Sequence, residues 1–237
     1  MILKRPCLPG EAETILVVAP HADDETLGAG GTIARLVAED RTVIVAVMTG
    51  RGKSPHPIFG DEAFARVQGE FRSAMGVLGV ERFIFADLPT TLLSDIPLHQ
   101  INRAAADIVA STRPDVVLLP FEHDLHKDHG ILNYAFRVAL RPHLESNRKP
   151  HAVLAYEVPT ETHLQSPHLH PSFEPHLWID ITSYLASKRA ALACFDSQIV
   201  PPPGLRSLEA VEALATWRGA QIGVSAAEAF MVLRAVL

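Results

Sequence analysis

The sequence predicts an α/β fold built on a mostly parallel sheet, and three observations carry that prediction. Through roughly the first half of the chain, short β-branched runs alternate with longer amphipathic stretches. The short runs are apolar on both faces, as strands covered on two sides must be. The two densest polar clusters of the chain follow two of those runs, where the carboxyl ends of parallel strands gather functional groups.

Thr14–Ala19 (TILVVA) is a continuous apolar run bounded by Pro20 and reads as a buried strand. Thr26–Glu39 has helical spacing through Leu27, Ile33, Leu36 and Val37. Thr42–Met48 is a second buried strand. Asp61–Leu78 is a long helix with Phe64, Val67, Phe71, Met75 and Leu78 on one face, closed by Gly79. Arg82–Ala86 reads as a strand, Leu98–Ser111 as a helix and Val116–Leu119 as a fourth strand. A helix is expected from Asp128 to Leu140 and a strand at Ala152–Glu157. Thr160–Pro175, rich in Pro, His and Ser, reads as a loop near a site mouth. Leu177–Ile181 is a short strand, Tyr184–Phe195 a helix and Val200–Gly204 (VPPPG) a rigid break. Leu208–Leu237 is expected to be mostly helical, ending in the apolar segment Phe230–Val236. Right-handed crossovers turn this order into a Rossmann-like three-layer α/β/α sandwich with extra C-terminal elements. No internal repeat or long linker divides residues 1–237, so one domain is expected.

Composition narrows the function classes. Hydrophobic residues make up 48% of the 237 residues and charged residues 20%, which is globular rather than disordered. Net charge is -6, with acids and bases interleaved and no Lys/Arg stripe, which argues against nucleic acid as a partner. Cys7 and Cys194 are too few and too far apart for a disulfide framework. No signal-peptide core precedes Thr14, and no apolar run approaches the ~20 residues of a membrane span. A cytoplasmic setting is expected, with oligomeric state, homo-oligomer included, left open.

His21-Ala22-Asp23-Asp24-Glu25 places four potentially metal-binding side chains at the end of the first strand. His21 and Asp24 are close enough in sequence to converge on one ion, with Asp23 beside it. Helix capping accounts for one acid here, but three consecutive carboxylates repel unless a cation compensates. The glycines of Gly28-Ala29-Gly30-Gly31 lie too far past the strand for a dinucleotide turn and read as close packing of helix on sheet. In Glu122-His123-Asp124-Leu125-His126-Lys127-Asp128-His129, His126 and His129 face a common side of an opening helical turn. One of them can complete a His/Asp/His site with His21 and Asp24 while leaving a position for water, and the other is free as acid or electrophile.

Pro20-His21-Ala22-Asp23-Asp24-Glu25-Thr26-Leu27-Gly28-Ala29-Gly30-Gly31-Thr32, then Arg113–Pro120 (RPDVVLLP) and His126-Lys127-Asp128-His129-Gly130, resembles the LmbE/PIG-L family of de-N-acetylases. The family's first motif usually carries a proline where this chain has Ala22. Similarity continues through Glu70, Leu78-Gly79-Val80, Tyr156–Pro159, Ser197-Gln198, Trp217-Arg218-Gly219 and Ala227–Phe230. The resemblance implies His21, Asp24 and His129 as ligands of zinc, with iron(II) or cobalt(II) as alternatives. It implies Asp23 as general base, a protonated His126 at the oxyanion and Asp128 orienting a neighbouring histidine. The implied reaction removes an acetyl or other acyl group from the amine of an amino-sugar conjugate. Some members carry an oxyanion-assisting tyrosine where this chain has Asp124.

Candidates for substrate contact are Arg51 and Lys53 after the second strand, and His163, His168 and His170 in the Pro-rich loop. Arg72 reads as a surface or salt-bridge residue, and Trp178 and Trp217 as core. Rival readings are an amidase for a non-sugar acyl amine, a non-catalytic metal- or sugar-binding module, and a metal-free nucleotide-binding domain.

Overall fold

The computed structural model describes residues 14–53, 55–143 and 150–236; Cys7 and the N-terminal stretch lie outside them. In order, the strands are β1 (Thr14–Ala19), β2 (Thr42–Gly50), β3 (Arg82–Pro89), β4 (Val116–Pro120), β5 (Ala152–Tyr156), β6 (Leu177–Asp180) and β7 (Ala227–Ala235). The helices are α1 (Asp24–Ala38), α2 (Asp61–Leu78), α3 (Leu98–Thr112), α4 (Lys127–Ala139), α5 (Leu185–Leu192) and α6 (Leu208–Ala220). The strands form one sheet in the order β3-β2-β1-β4-β5-β7-β6. β1 to β5 pair in parallel, whereas β7 is antiparallel to both of its neighbours.

The period-2 alternation of side chains splits the core into two layers. Ile15, Val17, Val45 and Leu118 face α1, α2, α5 and α6 on one side. Leu16, Val18, Ile44 and Leu119 face α3 and α4 on the other. This is the expected three-layer sandwich. Gly79 closes α2 at φ 75, a left-handed conformation that glycine adopts without steric cost.

The C-terminal third departs from expectation. Leu208–Ala220 is helical, but Ala227–Ala235 (AEAFMVLRA) is a strand. Ala, Glu, Met, Leu and Arg favour a helix locally. Here the segment fills a slot between β5 and β6, and pairing along both edges overrides that preference. The tryptophans also differ from the core reading. Trp217 is 62% exposed on α6, and half-buried Trp178 donates from Nε1 to Gln221.

Two features fix α1 against the rest of the molecule. A Cβ on Gly28 would collide with the Tyr156 ring and the Glu157 carbonyl, and one on Gly31 with Ile181, so these glycines do serve close packing. The buried Glu228 carboxylate on β7 accepts from Gly31 N–H (2.9 Å) and Thr32 N–H (2.7 Å). Lys188 Nζ on α5 donates to that carboxylate at 2.5 Å and to the Leu27 carbonyl at 2.8 Å. Both charges are nearly inaccessible to solvent. Glu228→Ala would strand the Lys188 ammonium, a loss that typically costs about 3–5 kcal/mol. The expected result is a lower urea midpoint with an unchanged slope.

Candidate metal centre and its cleft

β1 and β4 are adjacent and parallel, so the loops after them open on the same edge of the sheet. The chain turns sharply after Ala19. The Pro20 carbonyl accepts from both N–H and Oγ1 of Thr49, which ties the end of β2 to this turn. The His21 carbonyl then accepts from the N–H groups of Asp23 and Asp24. Asp23 stands at the N-cap of α1, yet its side chain makes no capping bond, and its backbone lies at φ 152, ψ -24. A non-glycine residue there is strained, and such strain concentrates at functional sites.

Asp24 sits at the centre of the cluster. Its Oδ2 accepts from His21 N–H at 2.8 Å and lies 3.1 Å from His21 Nδ1 and 3.3 Å from His129 Nε2. Asp128 Oδ2 is 3.2 Å from His21 Nε2 and accepts from Thr91 N–H at 2.8 Å. Asp124 Oδ2 lies 2.8 Å from His129 Nδ1, while its Oδ1 accepts from Thr162 Oγ1 at 2.6 Å. Each of these two histidines is thus braced by a carboxylate on the ring nitrogen away from its Asp24-facing atom, an arrangement typical of metal ligands. The role of Asp124 was not read from sequence. Its position was legible only as the place of a missing tyrosine. Tyr156 does not replace it, because its phenol donates to the Val18 carbonyl.

The six residues singled out from the two motifs come together. Ligand atoms of His21, His126 and His129 lie within 4.8 Å of one another. Asp24 Oδ1 and His129 Nε2 are buried without hydrogen-bond partners. A buried carboxylate oxygen and a buried ring nitrogen left without partners amid imidazoles and carboxylates form a set of ligand atoms that suits a divalent cation such as zinc.

Electrostatics agree with a site built for positive charge. Burial lowers the pKa of His21, but hydrogen bonds to Asp128 and Asp24 outweigh it and raise the value to about 9. Burial also opposes the charge on His129, which Asp24 and Asp124 nonetheless bring to about 10. Asp23 is pushed up to about 7 by burial and by neighbouring Asp24. Burial likewise carries Glu25 to about 8. His126 behaves oppositely: burial and then His21 lower it to about 4. Its Nδ1 accepts from Asp128 N–H at 3.2 Å, so that nitrogen carries no proton. The expected protonated His126 is therefore replaced by a neutral imidazole with its proton on Nε2.

A cleft of about 280 Å³ opens onto His21, Asp23 and His126. Phe59, Phe64, Val67 and Phe85 line it, together with Gln198 and Arg206. Arg206 was also missed from sequence, where it stood next to a proline-rich break. The sequence candidates for substrate contact lie elsewhere. Arg51 faces Asp61 (3.7 Å), Lys53 is exposed and His163 contacts Glu157 (2.8 Å). His168 and His170 are exposed and do not line the cleft. Arg72 is exposed, its guanidinium 5.2 Å from the centres of the Phe83 and Phe85 rings.

Comparison with known proteins places these features in context. The family model for PIG-L, GlcNAc-PI de-N-acetylase, matches residues 16–140. A diacetylchitobiose deacetylase of Thermococcus kodakarensis is 24% identical over 204 residues, 79% of this chain and 71% of its own. The conserved protein TT1542 of Thermus thermophilus superposes with a TM-score of 0.75 at 26% identity, covering 95% of this chain and 96% of its own. The 4-carboxy-2-hydroxymuconate hydratase of Pseudomonas putida shares the fold, with a TM-score of 0.74 at 21% identity over 95% of this chain and 98% of its own. Among the described residues no helix is long and apolar enough to cross a membrane.

Two outcomes are expected. Asp124→Asn weakens zinc binding about 10- to 100-fold in a chelator competition, because His129 exchanges a charged brace for a neutral one. In the metal-free protein His21 and His129 hold protons at neutral pH that a metal must displace. Zinc affinity measured by the same competition therefore rises with pH between about 6 and 9, by about tenfold per unit for each proton displaced.

Proposed function

The chain belongs to the PIG-L family, and from that premise we propose that it is a metal-dependent hydrolase removing an N-acetyl or other N-acyl group from an amino-sugar conjugate. The observation that carries the proposal is the opening of the cleft onto Asp23, directly beside the His21–Asp24–His129 cluster. His21, Asp24 and His129 would hold zinc, and the same donors accept iron(II) or cobalt(II). When bound, such an ion polarises an acyl carbonyl and lowers the pKa of coordinated water to about 7.

The remaining chemistry falls to the side chains of this chain. Asp23, buried at the cleft and apart from the Asp24 contacts, acts as general base on the attacking water. The water oxygen bonds to the acyl carbon, and the carbonyl electrons move onto oxygen. Neutral His126 donates from Nε2 to that oxyanion while its Nδ1 stays fixed on the Asp128 N–H. Collapse breaks the C–N bond. Asp23 returns its proton to the departing amine, leaving free acid and amine as products. Asp128 and Asp124 hold His21 and His129 in the required tautomers. The relative's printed activity on diacetylchitobiose supports an N-acetylglucosaminyl compound as the first substrate to test.

The test is acetate release from a panel of N-acetylglucosaminyl compounds by zinc-loaded protein. Asp23→Asn is expected to lose about 10²–10⁴-fold in rate with metal retained. His126→Ala is expected to lose about 10²–10³-fold, and His129→Ala to bind metal poorly. Stoichiometric metal without release from any compound would instead favour an amidase for non-sugar amines or a binding module.

A further inference from the structure

Arg206 is a charged residue of the cleft that the chemistry above leaves without a task. It lies in the segment between the proline-rich bend and α6, and that segment is held on both sides. Gly204 N–H donates to the Pro201 carbonyl and Ser207 N–H to the Gly204 carbonyl. Buried Ser207 caps α6 by accepting from Ala210 N–H at 3.1 Å. The guanidinium is anchored as well. Its Nη1 donates to Gln198 Oε1 at 3.3 Å. Gln198 Nε2 donates to Ser197 Oγ at 2.9 Å. Ser197 in turn donates from N (2.9 Å) and Oγ (2.5 Å) to Glu70 on α2.

This chain of bonds holds Arg206 Nε at 3.8 Å from Asp23 Oδ2, too far for a direct hydrogen bond. Nε is buried and has no hydrogen-bond partner. A buried N–H without a partner is costly, although the rest of the guanidinium reaches solvent, and a group that fills the gap recovers the loss. A hydroxyl suits it because one oxygen can accept from Nε–H while its proton is donated to the Asp23 carboxylate. An anionic group can only accept, and it would meet Asp23 and Asp24 at close range.

We propose that Arg206 is a substrate-binding residue, and that Arg206 Nε–H and Asp23 Oδ2 together bind one hydroxyl of the substrate beside the amide. The proposal rests on the amino-sugar reading. With one Asp23 oxygen acting on water at the scissile amide, the other reaches a hydroxyl only on a neighbouring carbon. In a methyl glycoside of N-acetylglucosamine that group is the 3-hydroxyl, since the anomeric oxygen is blocked. The substrate class is accordingly an N-acyl amine with a free hydroxyl on the adjacent carbon. The apolar side chains of Phe59, Phe64, Val67 and Phe85 in the same cleft would pack against the sugar ring.

The experiment pairs methyl N-acetylglucosaminide with its 3-deoxy analogue. Wild type, Arg206→Met and Gln198→Ala are compared by steady-state kinetics of zinc-loaded protein and by calorimetric binding of both glycosides to metal-free protein. With the hydroxylated glycoside, Arg206→Met should raise KM and weaken binding about 10- to 100-fold. With the 3-deoxy glycoside its effect should stay below about 3-fold. Gln198→Ala, which removes only the brace, should act in the same direction but less, and serves if Arg206→Met does not fold. Equal losses on both glycosides, or no loss, would overturn the assignment while turnover upheld the deacetylase. Binding that depends on Arg206 and the hydroxyl, without turnover, would keep the assignment and overturn the deacetylase. Absence of both binding and turnover would overturn both.

Discussion

A single carboxylate oxygen, Asp24 Oδ2, organises the histidine–carboxylate cluster of this molecule. It gathers the His21 backbone, the His21 ring and the His129 ring at one point. Such convergence is possible only because β1 and β4 are neighbours running in the same direction, which brings two motifs a hundred residues apart to one sheet edge. Asp24 remains ionised despite burial because His129 and His21 press positive charge upon it. Its neighbours Asp23 and Glu25 are pushed the other way, toward holding their protons. Three adjacent acids therefore differ in charge, and the repulsion that a run of carboxylates implies is largely removed. Coulombic asymmetry along five residues separates the ionised acid, Asp24, from the two beside it that are shifted toward their protonated forms.

The parallel half of the fold was legible because its strands are buried on both faces, so each reads as an unbroken apolar run flanked by helical periodicity. β7 was not legible. Its alanines, methionine and leucine carry a helical preference, and only the vacancy between β5 and β6 makes it a strand. The same contrast holds at the site. His21 and Asp24, and His126 and His129 as a pair, stand in dense motifs and were found from spacing, while the family resemblance singled out His129 and Asp128. Asp124 lay within the second motif, but nothing local distinguishes a brace from a solvated acid. Arg206 reaches the cleft through a proline-rich bend whose path no local signal encodes. The neutral state of His126 was equally out of reach, since it depends on burial and on the nearby His21.

The site is held from behind as well as from in front. Tyr156 rests on Gly28 and donates to the Val18 carbonyl, locking β5 to both α1 and β1. Glu228 and Lys188 grip the middle of α1 through its own backbone groups. The helix whose first turn carries Asp24 and Glu25 thus has little freedom to slide along the sheet, and the strained backbone of Asp23 is held there by its surroundings. Glycines that resemble a nucleotide fingerprint serve this packing instead.

The position of β7 has a consequence for how the protein comes into being. In sequence it follows β6, but in the sheet it lies between β6 and β5. On a nascent chain β6 emerges before the only strand it pairs with among the described residues, and it must wait unpaired. The five parallel strands, with both histidine motifs, are by then already made and free to dock. Synthesis therefore allows the reactive groups to meet early and leaves the Glu228 grip on α1 until late. The order of translation thus makes both histidine motifs available before the strand that carries Glu228.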